Sequence, residues 1–252
     1  MRKPRYERAR EPHIFLPAAV EQIRAKLDKL RDRTLVSVLA YSGPRPEEVV
    51  CRLTWEHVGD RAIRYRDTKR HRVRFTPLLA PLAEDLREWF LVCGRPAGKT
   101  PVFPAHDGGF WQEDDWRNWR RVIWRGEPAR PANERRRAAA AKPGCAPKGT
   151  RPRDLRSSFI TLQVYAGVPL TTIAKQCGTS VLMIEKHYAS VIENWDGRQV
   201  PAERQIRAAR RTTGRAMDVA ANSEHAAPAR KVPGNPTKSP PGDSNPQPLH
   251  YK

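Results

Sequence analysis

The feature that most limits the fold is a single stretch with period-two alternation of apolar and polar residues. Ile63 and Tyr65 on one side, Val73 and Phe75 on the other, flank Asp67-Thr68-Lys69-Arg70-His71, the pattern of a short antiparallel hairpin with a basic tip. The other apolar series recur at helical spacing. Ala18, Val20, Ile23, Leu27 and Leu30 make one face that begins at Pro17, and Leu35 to Tyr41 is a continuous run stopped by Ser42-Gly43-Pro44. Leu79, Leu82, Leu86 and Phe90 repeat through residues 78 to 92, and Trp116, Trp119, Ile123 and Trp124 mark an aromatic helix whose rings are expected in the core. One hairpin among many helices predicts a mainly α fold with a small antiparallel β-sheet.

Between these series, Glu47 to Leu53 reads as a short helix with Pro46 near its start, where a missing N–H is harmless, so Arg45 stands just before a helix N-terminus. Three helix-like segments follow at 153 to 165, 169 to 177 and 180 to 192, the last containing Tyr188. The expected organisation is a basic arm over 1–16, one domain over 17–198 with a mobile basic loop at 126–150, a helix within 199–225, and a disordered Pro/Gly/Ser/Asn-rich tail over 226–252.

Charge narrows the partners. Lys and Arg total 47 against 27 acidic residues, a net charge of +20, and such an excess favours a polyanion because phosphate contacts release condensed counterions. Double-stranded DNA is the leading class. No apolar run approaches the ~20 residues of a membrane span and no signal-peptide core follows Met1, so a cytoplasmic, nucleoid-associated protein with no membrane partner is expected. Cys51, Cys93, Cys145 and Cys177 form no CxxC pair, so buried reduced thiols are expected rather than a metal site or disulfides.

Three separated stretches carry a resemblance. Leu39-Ala40-Tyr41-Ser42-Gly43-Pro44-Arg45-Pro46-Glu47-Glu48, followed by Leu53-Thr54-Trp55-Glu56-His57-Val58, is the first. Arg153-Asp154-Leu155-Arg156-Ser157-Ser158-Phe159 with Ala166-Gly167-Val168-Pro169-Leu170 is the second. Cys177-Gly178-Thr179-Ser180 leading to Met183-Ile184-Glu185-Lys186-His187-Tyr188 is the third. In this order and spacing, over roughly residues 17 to 195, they resemble the tyrosine recombinases of the phage-integrase family. The resemblance implies the DNA breaking-rejoining fold and site-specific recombination for a phage or other mobile element.

It also implies roles. Tyr188 would be the nucleophile, forming a 3′-phosphotyrosyl link that stores the bond energy, so that no cofactor or metal is implied. Arg45 and Arg156 would hold the non-bridging phosphate oxygens, for which planar guanidinium forks are suited. Without the resemblance, a surface salt bridge is the ordinary account of either. Lys69 resembles the family's general acid, with a simple backbone contact as the rival account. Arg70, His71 and Arg72 at the tip, and Lys148 and Arg151 after the loop, are candidate DNA contacts. Arg153 and Thr179 occupy catalytic positions but depart from the family pattern, which has histidine at the first and histidine or tryptophan at the second. Arg153 cannot accept a proton near neutral pH, whereas Thr179 can still donate a hydrogen bond.

The resemblance further implies a homo-tetramer on synapsed DNA, a monomer in solution without it, exchange of the segment 201–221 between copies, and a place for accessory DNA-bending proteins. Only about 16 residues precede the first helix, so the family's N-terminal core-binding domain is expected to be lacking. Two other outcomes stay open: an integrase that binds DNA without cutting it, and type IB topoisomerase-like relaxation. Finally, Asp243-Ser244-Asn245-Pro246 can be encoded by the complement of a sequence common in tRNA T-arms. That suggests a gene end overlapping a tRNA-derived attachment site, against the plain alternative of a disordered tail.

Overall fold

Why the chain builds its core around one helix follows from the run Leu35 to Tyr41, which is apolar on all sides and so must be buried on all sides. In the computed structural model, which describes residues 12–66, 73–127 and 143–225, that run is the body of helix α2 (Leu30–Tyr41), and every residue from Thr34 to Tyr41 is buried. It packs against α1 (Pro17–Ala25), α4 (Ala80–Val92) and α6 (Arg156–Tyr165). The short α3 (Pro46–Val50) follows α2 across the turn at Gly43, whose φ of +62° suits glycine and whose Cβ position would lie 2.6 Å from Phe159 Cδ1.

The hairpin pairs β1 (Ala62–Arg66) with β2 (Val73–Pro77), Ile63 opposite Thr76 and Tyr65 opposite Arg74. Cross-strand partners share a face, so the register settles which side of β2 is inside. Ile63 and Tyr65 are buried as the alternation predicts, but their partners Arg74 and Thr76 are buried with them, while Val73 and Phe75 are exposed. The apolar pattern of β2 therefore points outward, because the inward face carries an ion pair.

The aromatic helix is α5 (Glu113–Trp119), continued by a π-turn over Arg120–Trp124 in which the Arg125 N–H donates to the Arg120 carbonyl at 3.1 Å. The wider turn lets Trp119 and Trp124 share a side, their ring centroids 6.2 Å apart, and Trp111, Trp116, Trp119 and Trp124 are all buried. Residues 143–150, read from sequence as the end of a mobile loop, lie against this turn: the Cys145 N–H donates to Ile123 and Trp124 Nε1 donates to the Thr150 carbonyl, both at 3.1 Å. Within the segment read as an arm, Phe15 joins the core, while His13 and Leu16 stay exposed. Phe15 is fully buried and its N–H donates to Ser157 Oγ at 2.9 Å.

A second core forms where α6 meets α7 (Leu170–Cys177) and α8 (Val181–Glu193), through Phe159, Ile160, Val164, Ile173, Cys177, Ile184 and Tyr188. Helix α6 thus has a core on each side. Helix α9 (Ala202–His225) follows. From the segment expected to pass to a neighbouring copy, Ala202, Ile206 and Ala209 are buried on their own chain, Arg207 pairs with Glu84 at 2.5 Å and Arg210 with Asp85 at 2.6 Å. Cys145 and Cys177 are buried, whereas Cys51 and Cys93 are only half-buried. Among the described residues no helix is long and apolar enough to cross a membrane.

Candidate active site

The C-terminus of α7 gathers the site. The helix ends at Gly178 in the left-handed conformation (φ 65°, ψ 48°), with the Thr179 N–H donating to Ala174 at 3.0 Å and the Gly178 N–H to Lys175 at 3.2 Å. This is a Schellman closure, which leaves the next carbonyls free at the negative end of the helix dipole. Three successive carbonyls are then taken by three arginines. Arg74 Nε donates to Gln176 at 2.9 Å, Arg156 Nη2 to Cys177 at 2.5 Å, and Arg45 Nη2 to Gly178 at 3.3 Å. Glycine is required at 178 for its φ, and a Cβ there would also come within 3.3 Å of Arg74 Cδ.

Each arginine arrives from a different part of the chain. Arg45 precedes α3, and its backbone N–H donates to Glu48 Oε2 at 2.6 Å while its Nη1 pairs with Glu48 Oε1 at 3.3 Å. Arg74 comes from β2 and grips the same buried carboxylate with both nitrogens, at 3.0 and 2.6 Å, its guanidinium lying 4.8 Å from the Tyr65 ring centroid. Arg156 opens α6, behind a 3₁₀ turn over Pro152–Leu155. Its Nη1 is buried and has no hydrogen-bond partner among the described residues. Burial, and then the charges of Arg74 and Arg45, lower its pKa against the opposing pull of Cys177 and Glu48. A guanidinium stays charged even so. Arg45 and Arg74 thus share one carboxylate, and Arg156 pairs with none among the described residues, an arrangement short of negative charge.

Tyr188 lies beside them. Helix α8 begins at Ser180, whose Oγ accepts the Met183 N–H at 3.2 Å, and bends at Tyr188, where φ is −128° and ψ 20°. The phenol is 7% exposed, and its hydroxyl has no hydrogen-bond partner among the described residues. Burial raises its pKa above the ordinary phenol value, Arg156 pulls it back, and Cys177 and Asp154 push it up. The phenol is therefore neutral near pH 7 and needs a proton acceptor in order to react.

The structure brings Arg45, Arg156, Thr179 and Tyr188 to one place, with Thr179 half-buried. Lys69, Arg70, His71 and Arg72 lie outside the described residues. Arg153 is exposed and makes no hydrogen bond or ion pair with a described residue; it lines a separate cavity. Arg151 pairs with Asp154 at 2.8 Å and so braces the 3₁₀ turn, while Lys148 is exposed. Sequence reasoning gave no role to Glu48 or Arg74. Glu48 stands three residues after Arg45, a capping spacing that could have singled it out, but Arg74 carries no local signal. Among the described residues no group of three or more His, Cys, Asp and Glu side chains could hold a metal ion.

A family model described as the phage integrase family matches residues 15–194. Among solved structures, a XerA recombinase aligns with a TM-score of 0.54 at 18% identity, covering 74% of this chain and 64% of that one. A XerH site-specific recombinase bound to difH substrate in a pre-cleavage complex gives 0.50 at 18% identity, covering 73% and 51%. The Tn1549 transposon integrase in complex with a circular intermediate DNA gives 0.50 at 15% identity, covering 72% and 63%. At these identities the likeness shows the fold, and the chain spans less than two thirds of each of these proteins. No curated protein sequence matches the chain.

Proposed function

The chain belongs to the phage integrase family, and from that premise we propose that it is a site-specific DNA recombinase whose nucleophile is Tyr188. The observation that carries this reading is the trio Arg45, Arg74 and Arg156 on successive carbonyls at the end of α7, with, among the described residues, only Glu48 to offset them and one Arg156 nitrogen unpaired beside a buried phenol. A phosphodiester placed there supplies the missing negative charge. As negative charge grows on the equatorial oxygens in the transition state, preorganised guanidinium donors stabilise it more than the ground state. Arg45 and Arg156 would contact the phosphate, while Arg74 positions Arg45 through Glu48.

In the reaction the Tyr188 oxygen forms an ester to phosphorus as the bond from phosphorus to the 5′ oxygen breaks. The phenol passes its proton to a solvent water molecule, and the departing 5′ oxygen gains one, in this reading from Lys69. Thr179 donates a hydrogen bond to the phosphate. Reversal by a 5′ hydroxyl of another strand rejoins DNA, and since one phosphodiester replaces another, the exchange needs no external energy source. Integration or excision of a mobile element, a tetramer on synapsed DNA, and accessory bending proteins complete the proposal.

The test is a nicked suicide duplex taken from the 3′ end of the gene, comparing wild type with Tyr188→Phe for a covalent protein–DNA band on a denaturing gel. A band lost in the variant supports the nucleophile. Binding without a band in either protein, on this and on random duplexes, favours a second reading, a DNA-occupying protein that does not cut. Arg153 at a position where the family places histidine is the observation behind that alternative.

A further inference from the structure

Next to the active site lies a second concentration of arginine that the strand-cutting reaction does not use. A cavity of about 210 Å³ is lined by Glu47 and Trp116 together with Arg120, Arg125, Arg151 and Arg153. Two chain segments join it to the site: Glu47 sits two residues beyond Arg45, and Arg151 and Arg153 belong to the turn that leads into Arg156. It is nonetheless a separate space, walled on one side by the π-turn.

The charges in this cavity are poorly compensated. Arg120 lies with its guanidinium carbon 5.5 Å from the Trp116 ring centroid, and its Nε is buried without a hydrogen-bond partner among the described residues. Arg153 has no ion pair with a described residue. Arg125 has only a 3.6 Å contact to Glu127, with both side chains about half exposed, and Arg151 is committed to Asp154. One carboxylate in the wall, Glu47, faces four guanidinium groups. The contact with the Trp116 ring restrains the Arg120 side chain, so less rotamer freedom is lost when it binds an anion. The π-turn explains why Arg120 and Arg125 can both line one cavity, since positions five apart fall close together on its wider spiral.

We propose that this cavity seats a second backbone phosphate of the bound DNA, a neighbour of the one at Arg45 and Arg156, held chiefly by Arg120 and Arg153. The inference rests on the DNA-recombinase reading. It gives Arg153 a job that an arginine can do: it holds a flanking phosphate and so sets the register of the strand, in place of the proton transfer it cannot perform.

The test measures affinity against salt for the full chain carrying Tyr188→Phe, with a duplex of about 30 base pairs and arbitrary sequence, since each phosphate contact contributes roughly 0.9 to the log–log slope. Arg153→Ala, an exposed position whose truncation disturbs no core contact, should weaken binding roughly tenfold at moderate salt and flatten the slope by about one unit. Arg120→Gln should do the same with an unchanged melting temperature. Because both would hold one phosphate, the double variant should lose one unit rather than two. Arg117→Ala, on the same helix but paired with Glu113 and Asp114, is the control and should leave the slope alone. An unchanged slope in Arg153→Ala, with a flattened one in Arg156→Ala, overturns the cavity proposal and spares the recombinase reading; failure of the wild-type protein to bind any duplex overturns both. If inorganic phosphate stabilises the parent protein but not Arg153→Ala, while the DNA slopes agree, the cavity takes free phosphate and the proposal also falls.

Discussion

Two ionic clusters in this molecule, each built on a buried carboxylate, use the same residue types to opposite ends. Where α9 meets α1 and α4, Arg24 and Arg210 are set against Glu21 and Asp85, with the Tyr41 hydroxyl donating to Glu21 at 2.5 Å. Two cations meet two anions there. At the end of α7, Arg45 and Arg74 share Glu48, while Arg156 beside them donates to the Cys177 carbonyl. Each cluster contains a buried unpaired nitrogen, Arg24 Nε in the first and Arg156 Nη1 in the second, so hydrogen-bond satisfaction does not separate them. Charge balance does. A buried charge must be compensated, and a cluster that cannot compensate itself is a place prepared for a ligand of opposite sign.

That comparison can be broken by substitution. The largest effect should come from Glu48→Gln, which leaves Arg74 buried without a counter-charge: a loss of about 3–5 kcal/mol in urea unfolding is expected, and a loss below about 1 kcal/mol would mean that the arginines compensate one another through the helix carbonyls. Arg210→Ala should cost less, about 1–3 kcal/mol, because its side chain is partly exposed and Arg24 remains to serve both acids. Arg156→Met should do the reverse of both. Removing an uncompensated cation should change stability by less than about 1 kcal/mol in either direction, yet reduce the rise in melting temperature expected of the wild-type protein when DNA is added. If Arg156→Met destabilises as much as Glu48→Gln, the α7 cluster is structural.

The smallest effect concerns pH. Burial, and then Glu21, raises the pKa of Tyr41 well above the ordinary phenol value, and burial also raises those of Tyr65 and Tyr188. The folded state therefore holds these protons more tightly than the unfolded chain. Their contribution is complete below about pH 10 and is lost as pH rises toward the folded-state values. Urea midpoints measured on either side of pH ~10 should fall, and Tyr41→Phe should fall less steeply; equal slopes would remove Tyr41 from the balanced cluster's account.

Most helices were legible because burial imposes a period, and Leu35 to Tyr41, Ile63 and Tyr65 lie where that period puts them. The exposed Val73 and Phe75 show where the rule stops. On β2 the inward face is chosen by Glu48, a residue 26 positions away from Arg74 in sequence, and no local pattern reports a pairing of that range. That Arg45, Arg156 and Tyr188 come together was legible through the resemblance alone, since each motif is a short stretch that keeps its residues in order. Arg151, expected as a DNA contact from its basic stretch, also pairs with Asp154, three residues on, at 2.8 Å, a contact its charge alone does not report.

The bend in α8 has a thermodynamic consequence. A helix is cooperative because each added residue gains a hydrogen bond from those already placed, and a residue outside helical φ/ψ divides it into shorter cooperative units. Tyr188 stands at that division, so the segment from Ser180 can remain wound while the phenol turns. Re-aiming this side chain then costs the torsional freedom of one residue and not the melting of a helix.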